Sequence, residues 1–202
     1  MLFGFGKPNA DASLTDEQIA EKYGVQMPRY EVVAAREGAS YQLRRYQPMA
    51  IAECEYEKRP EGYTLLDGYT QGGENAAGLP MPRTAPCLML PCGVPKLMRY
   101  MLPSPHTPKD PDAAAVPPPA PSCELVRTRT LEAFDVAVVR FSGYATPDVV
   151  FGLRDETKAA LAADGIGLAP DVDDALVLAQ YNELFSLPWK RDNELWLRVA
   201  LP

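Results

Sequence analysis

The chain carries the same strand pattern twice, and this repeat limits what it can fold into. Residues 39–57 (ASYQLRRYQPMAIAECEYE) and 124–142 (ELVRTRTLEAFDVAVVRFS) each contain an apolar and basic strand, a short turn and an alternating apolar strand. A helical stretch and two more strand-like runs follow each copy: 85–92 with 96–102, and 175–181 with 194–200. Neither ββαββ unit can bury its sheet face alone, so we expect a pseudo-twofold pair with one shared core and a ligand groove between the related helices.

Composition excludes several classes of protein. The 202 residues are 47% hydrophobic and 23% charged, which is ordinary for a globular chain. No apolar run approaches the roughly 18 residues that a membrane-spanning helix needs. A net charge of −7 with scattered basic residues argues against a nucleic-acid partner. The first residues fit neither a secretory signal nor a transit peptide, so we expect a cytoplasmic protein, or an organellar one if a transit peptide has been removed.

Residues 1–27 are expected to form an N-terminal extension with one short helix. Thr15 is a helix N-cap, and Gln18 completes a capping box three positions later. Gly24 should end this helix. A strand over 30–36 then leads into the first copy of the repeat.

The two repeat helices have different end signals. The first should lie within 60–71, with Pro60 near its start and Gly72 just beyond its end. The second is better defined, because Thr146 is an N-cap, Pro147 takes the first helical position and Gly165 follows the end. Both helices should flank the sheet.

A proline-rich connector, residues 102–122, separates the repeats. Its eight prolines exclude both a helix and a strand ladder, so we expect a stiff, partly polyproline-II segment. It either joins the repeats around the outside of the fold or serves as a ligand for a proline-recognising module. The four cysteines, Cys54, Cys87, Cys92 and Cys123, are too scattered for a disulfide scaffold and are interpreted as reduced core thiols.

Two surfaces are candidates for ligand contact. Phe151, Arg154 and Lys158 share one face of the second repeat helix, and they form either a solvated shoulder or a site for a flat ligand with carboxylates. The loop between the last two strands gathers Tyr181, Phe185, Leu187 and Trp189, which is more apolar surface than a connection needs. Part of this loop should close the core, and the rest could form a pocket rim.

Five segments of the chain resemble those of the SOUL/haem-binding-protein family. The matching segments are YEVVAAREGASYQLRRYQPMAIAE, GLPMPRTAPCLM, YMLPS, VAVVRFSGYAT and LAQYNELFSLPWKRDNELWL, which occur in family order over roughly residues 28–200. The resemblance implies an α+β fold over residues 28–202: a distorted eight- to nine-stranded β-barrel with two flanking helices, built as a pseudo-twofold duplication of a ββαββ unit.

The resemblance also implies non-covalent binding of haem or another tetrapyrrole in a shallow apolar cleft beside the first repeat helix. The expected wall consists of Tyr63, Leu66, Tyr69, Tyr181 and Phe185. For the propionates, the nearest cations are Lys58, Arg59 and Arg83. His106 is the only histidine and sits among prolines, so we interpret it as a linker residue; the alternative is an axial haem ligand.

The function expected from these residues is that of a tetrapyrrole carrier or buffer. One alternative is a tetrapyrrole-modifying enzyme in which a carboxylate such as Glu74 assists metal removal or ring attack. The other is an interaction protein that uses the proline-rich connector. Product formation would identify the enzyme, and loss of partner binding on deletion of residues 103–121 would identify the interaction protein.

Overall fold

The computed structural model describes residues 15–34, 39–108, 110, 113–169, 176–182 and 185–201. Residues 1–14 of the expected extension, the end of the expected strand over 30–36, and Ala175 at the start of a later strand lie outside these ranges. The elements, in chain order, are α1 (Asp16–Tyr23), β1 (Tyr30–Ala34), β2 (Gln42–Tyr46), β3 (Met49–Glu55), α2 (Arg59–Thr70), β4 (Cys87–Leu90), β5 (Leu97–Met101), β6 (Val126–Leu131), β7 (Phe134–Ser142), α3 (Pro147–Ala163), β8 (Gly167–Leu168), β9 (Leu176–Gln180) and β10 (Asp192–Ala200).

The strands form one curled antiparallel sheet, which confirms the expected α+β fold. Nine strands follow the order β1-β2-β7-β10-β9-β4-β5-β3-β6, and β8 pairs with the end of β10. From β2 to β6, this order is symmetric between the two repeats: β2 corresponds to β6, β7 to β3, β10 to β5 and β9 to β4. The first strand of each repeat therefore lies in the other repeat's half of the sheet, where β2 pairs with β7 and β6 pairs with β3.

The strand register agrees with the repeat seen in the sequence. The two copies begin at residues 39 and 124, an offset of 85 positions. Gln42 pairs with Val138. Adding 85 to position 42 and subtracting 85 from position 138 gives Arg127 and Glu53, and these two residues also pair. The pseudo-twofold relation therefore holds residue by residue in these strands.

Both faces of the sheet are buried. On one face, side chains from β2, β3, β4, β6, β7 and β10 meet in a single cluster, in which the rings of Tyr46 and Trp196 stack with centroids 4.5 Å apart. Strands from opposite ends of the sheet order meet here, so the sheet curls around this cluster. The other face packs beneath α2 and α3 through Leu66, Tyr69, Val150 and Leu161. Two buried faces explain why β10 alternates little in polarity.

Local signals set the ends of α1 as expected. The Thr15 hydroxyl accepts a hydrogen bond from the Gln18 N–H, and the Gln18 side chain accepts one from the Thr15 N–H. Gly24 follows α1 with a φ of 60°, which favours glycine. Gly62, inside α2, has a packing role: a Cβ there would lie 2.9 Å from Met98 Sδ and 3.2 Å from Tyr56 Cβ. Glycine weakens a helix, but at this position it lets α2 approach the sheet closely.

The cysteines are only partly core thiols. Cys54 and Cys87 are buried, Cys123 is half-buried and Cys92 is exposed, and all four are free. Cys92 lies in the turn between β4 and β5, outside the packed faces, which explains why its exposure differs from the expectation.

Candidate functional site

A cleft of about 630 Å³ opens between α2, the segment after α1, and the loop that follows β9. Two other cavities measure only about 110 and 120 Å³. The cleft wall includes no residue of α3, so the cleft does not lie in the expected groove between the two repeat helices. The tertiary arrangement of α1 and the loops, which breaks the internal symmetry, creates this cleft on the α2 side.

One face of α2 forms a wall of the cleft. Tyr63, Thr64, Asp67, Thr70 and Gln71 line it and recur at helical spacing. The neighbouring face of α2, which carries Gly62, Leu66 and Tyr69, is buried against the sheet. Tyr63 stands where the two faces meet, since it lines the cleft and also packs against the core.

Four of the six expected binding residues line this cleft: Tyr63, Arg83, Tyr181 and Phe185. Leu66 and Tyr69 do not, because both are completely buried on the sheet-facing side of α2. The Tyr69 hydroxyl donates a hydrogen bond to the Pro119 carbonyl at 2.8 Å, which ties α2 to the connector. Burial raises the pKa of Tyr69 to about 12. Sequence reasoning selected apolar residues of α2, and these mark its core face.

Tyr100, Asp67 and Cys87 also line the cleft, although none of them was expected there from the sequence. Tyr100 on β5 lies opposite Cys87 on β4, and both side chains line the cleft floor. The Tyr100 hydroxyl donates to Asp67 Oδ1 at 3.0 Å, and its ring centroid is 6.4 Å from that of Tyr63. Burial raises the pKa of the Cys87 thiol to about 12, so the thiol is neutral and poorly nucleophilic at neutral pH. The i, i+4 spacing of Tyr63 and Asp67 was the available signal.

The segment around α1 supplies another part of the wall. Tyr23 and Val25 line the cleft, and the Tyr23 hydroxyl accepts a hydrogen bond from Asn182 Nδ2 at 2.6 Å. Ile19 packs against Ala85 and Tyr181, which are themselves cleft residues. Residues 15–27, the described part of the expected extension, therefore contribute to the cleft wall.

The buried carboxylate of Glu194 holds the Tyr181 hydroxyl in place. The Tyr181 hydroxyl donates to Glu194 Oε2 at 2.8 Å, and Glu194 is 1% exposed. The same carboxylate accepts hydrogen bonds from Arg44 at 3.1 Å, Arg140 at 2.7 Å and the Trp196 indole at 2.7 Å. Burial raises the pKa of Glu194, but the two guanidinium groups and the indole outweigh it, so the pKa lies below its ordinary value. Arg140 also pairs with Asp16 of α1.

The loop after β9 places an aromatic ring at the mouth of the cleft. Phe185 lines the cleft and is 91% exposed. Arg191 holds this loop, because its Nε donates to the Ser186 carbonyl at 2.8 Å and its guanidinium lies over the Tyr144 ring. Glu183 and Leu184, part of the matching family segment, lie outside the described residues.

The other sequence candidates lie away from the cleft lining. Arg154 forms a two-point pair with Asp155 and covers the Phe151 ring at 4.8 Å, so this shoulder is occupied by its own side chains. His106 Nδ1 lies 2.9 Å from the Val116 carbonyl within the connector. Lys58, Arg59 and Glu74 also fall outside the wall.

The end of the connector is fixed to the loop after α2. The Ala76 N–H donates to the Ala120 carbonyl, and the Ser122 N–H donates to the Glu74 carbonyl, both at 2.8 Å. Together with the bond from Tyr69, these contacts hold residues 119–122 in place. Lys109, Pro111 and Asp112 of the connector lie outside the described residues.

The described residues contain no group of three or more His, Cys, Asp or Glu side chains arranged to hold a metal ion. None of the helices in the described ranges has both the length and the apolar character to cross a bilayer.

Three solved structures that match the chain share little of its sequence. A hydrolase from Listeria innocua is 11% identical, with 90% of this chain and 98% of that chain covered and a TM-score of 0.48. The C-terminal domain of EcmrR is 8% identical, with 80% and 99% covered and a TM-score of 0.47. SAV2435 bound to tetraphenylphosphonium is 15% identical, with 80% and 94% covered and a TM-score of 0.37. No curated protein sequence matches the chain.

The comparison with protein families gives a match over most of the chain. The family described as SOUL heme-binding protein matches residues 25–198, which include every strand from β1 to β9, most of β10, and both repeat helices. The match also takes in the cleft residues of α2, β4 and β5 and the loop after β9. With most of its length matched in this way, the chain belongs to the SOUL heme-binding protein family.

Proposed function

We propose that this protein binds a tetrapyrrole non-covalently in the cleft beside α2 and acts as a carrier or buffer. The supporting observation is one cleft of about 630 Å³ that contains Tyr63, Tyr100, Tyr181 and Phe185, in a chain of a heme-binding family. This volume is within the usual range for small-molecule pockets, about 300–1,000 Å³. Flat aromatic macrocycles bury much apolar area against such rings.

Apolar contact, and not ligation of iron by histidine, should supply most of the affinity. The only histidine, His106, is absent from the cleft wall and lies against Val116 in the connector. Arg83 lines the cleft and would meet a propionate. Because Arg83 is exposed, an ion pair there adds only about 0–1 kcal/mol and weakens with salt.

The enzyme alternative has less support from this geometry. Glu74, the carboxylate expected to assist chemistry, is exposed and lies outside the cleft wall. The connector alternative depends on free access to the prolines, and backbone hydrogen bonds hold the end of that segment. The carrier role therefore uses more of the observed features than either alternative.

Titration with hemin tests the proposal. The Soret band should shift and tryptophan emission should fall, with saturation at a Kd of about 1 μM or tighter. Trp189 is 72% exposed in the loop that carries Phe185, so its emission is well placed to report binding. The carrier function is refuted if hemin, protoporphyrin and a chlorophyll derivative all fail to give a saturable signal.

A pair of phenylalanine variants tests the location. Phe185→Ala removes a ring that is 91% exposed, so it should leave the fold intact while weakening hemin binding about tenfold, from loss of roughly 55 Å² of apolar contact. Phe151→Ala, on the α3 shoulder, is the matched control and should change affinity less than twofold. The reverse order would move the site to α3.

A further inference from the structure

The cleft contains a carboxylate that the proposed tetrapyrrole does not need. Asp67 lies on the cleft face of α2 and is exposed to the cleft. Its side chain accepts one hydrogen bond, from the Tyr100 hydroxyl at 3.0 Å. None of the ion pairs among the described residues involves Asp67. Because a carboxylate can accept about four hydrogen bonds, Asp67 keeps capacity for a ligand.

Tyrosine rings surround this charge. Tyr63 and Tyr100 lie with their centroids 6.4 Å apart and their planes at 53°. Tyr23 and Tyr181 line the same cleft. Burial raises the pKa of both Tyr63 and Tyr100, so both phenols are neutral at ordinary pH. Both residues are half-buried and line the cleft, and aromatic rings attract organic cations through the ring quadrupole.

We propose that the α2 side of the cleft is a subsite for an aromatic organic cation, with Asp67 as its counter-charge and Tyr63 and Tyr100 as its ring partners. A planar cation would stack on the tyrosine rings and place its charged nitrogen near the carboxylate. A planar dianion of the same size would gain similar apolar contact, but Asp67 would repel any carboxylate placed on the α2 side, so its acid groups would lie toward Arg83 instead. The overall charge of −7 adds to this preference.

Two xanthene dyes of opposite charge test the subsite. Rhodamine 6G is a cation and fluorescein is an anion with the same xanthene ring system. Rhodamine 6G also carries alkyl groups that add apolar contact, so the change that Asp67→Asn causes in the fluorescence anisotropy titration of each dye isolates the effect of charge. The wild-type protein should bind rhodamine 6G about tenfold more tightly than fluorescein. Asp67→Asn should weaken rhodamine 6G roughly fivefold and leave fluorescein unchanged or tighter.

A matched variant controls for net charge. Glu57→Gln also removes one exposed negative charge, but Glu57 is not part of the cleft wall. It should change the affinity for either dye less than twofold. The subsite is refuted if Asp67→Asn and Glu57→Gln behave alike, or if the wild-type protein binds both dyes equally.

The dye experiment and the hemin experiment can fail separately. Both ligand classes would occupy one cleft, so hemin should displace rhodamine 6G. Rhodamine 6G binding that depends on Asp67, without any tetrapyrrole binding, would refute only the proposed function. Tetrapyrrole binding with no effect of Asp67→Asn on either dye would refute only the cation subsite.

Discussion

Replacing Glu194 by glutamine should destabilise the protein strongly, because this carboxylate is the centre of a buried network. Glu194 is 1% exposed and accepts hydrogen bonds from Arg44, Arg140, Tyr181 and Trp196. The Arg44 side chain is only 3% exposed. Glutamine keeps the shape of the side chain but removes the negative charge, which leaves the Arg44 guanidinium buried without its counter-ion.

The expected magnitude is large relative to total stability. Removing one partner of a buried ion pair costs about 3–5 kcal/mol, whereas domains are stable by about 5–15 kcal/mol. For a chain of this size, the melting temperature should fall by roughly 10 °C. Urea unfolding followed by circular dichroism would measure the change as a lower midpoint with an unchanged slope.

Asp155→Asn is the control for this substitution. Asp155 also pairs with an arginine, Arg154, but its side chain is 64% exposed. Loss of such a solvent-exposed pair should leave the free energy of unfolding almost unchanged. The reasoning is refuted if Glu194→Gln changes the free energy of unfolding as little as Asp155→Asn does.

The same network predicts an acid dependence. The pKa of Glu194 in the folded protein lies below that of an unfolded glutamate, which is about 4.3. Ionised Glu194 therefore stabilises the fold above about pH 4.3, and this contribution is lost as the pH falls through the lower folded pKa. The stability difference between the wild type and Glu194→Gln should be constant at neutral pH and shrink below about pH 4. A difference that grows on acidification would contradict the assignment.

Two further substitutions separate core residues from ligand contacts. Tyr69→Phe removes the hydrogen bond to Pro119 and should lower the free energy of unfolding by about 1 kcal/mol without changing hemin affinity; weaker binding at unchanged stability would return Tyr69 to the cleft wall. His106→Ala should leave the hemin affinity and the absorption spectrum of the bound hemin unchanged, because His106 lies outside the cleft wall; loss of a six-coordinate spectrum would show that it ligates iron.

Signals that act over a few residues were readable from the sequence. The capping box at Thr15 and Gln18, the N-cap at Thr146 and the strand alternation all depend on neighbours within one turn or one strand, so they define the elements before any packing is known. The 85-residue repeat offset reached further, because two copies of one unit must pair in equivalent ways around a pseudo-twofold axis. The fold class follows from these features, and the register found in the structure repeats the same offset.

The site depended on contacts that no local pattern encodes. The sequence indicated Tyr63, Arg83, Tyr181 and Phe185, but only packing shows which face of α2 turns to the sheet and so buries Leu66 and Tyr69. Likewise, Glu194 meets Arg44 across 150 positions of chain, and α1 reaches the cleft because Asp16 pairs with Arg140. The sequence by itself determined the elements, the duplication and the family; tertiary structure alone decided the cleft wall and its charge, because these arise where segments distant in the chain come together.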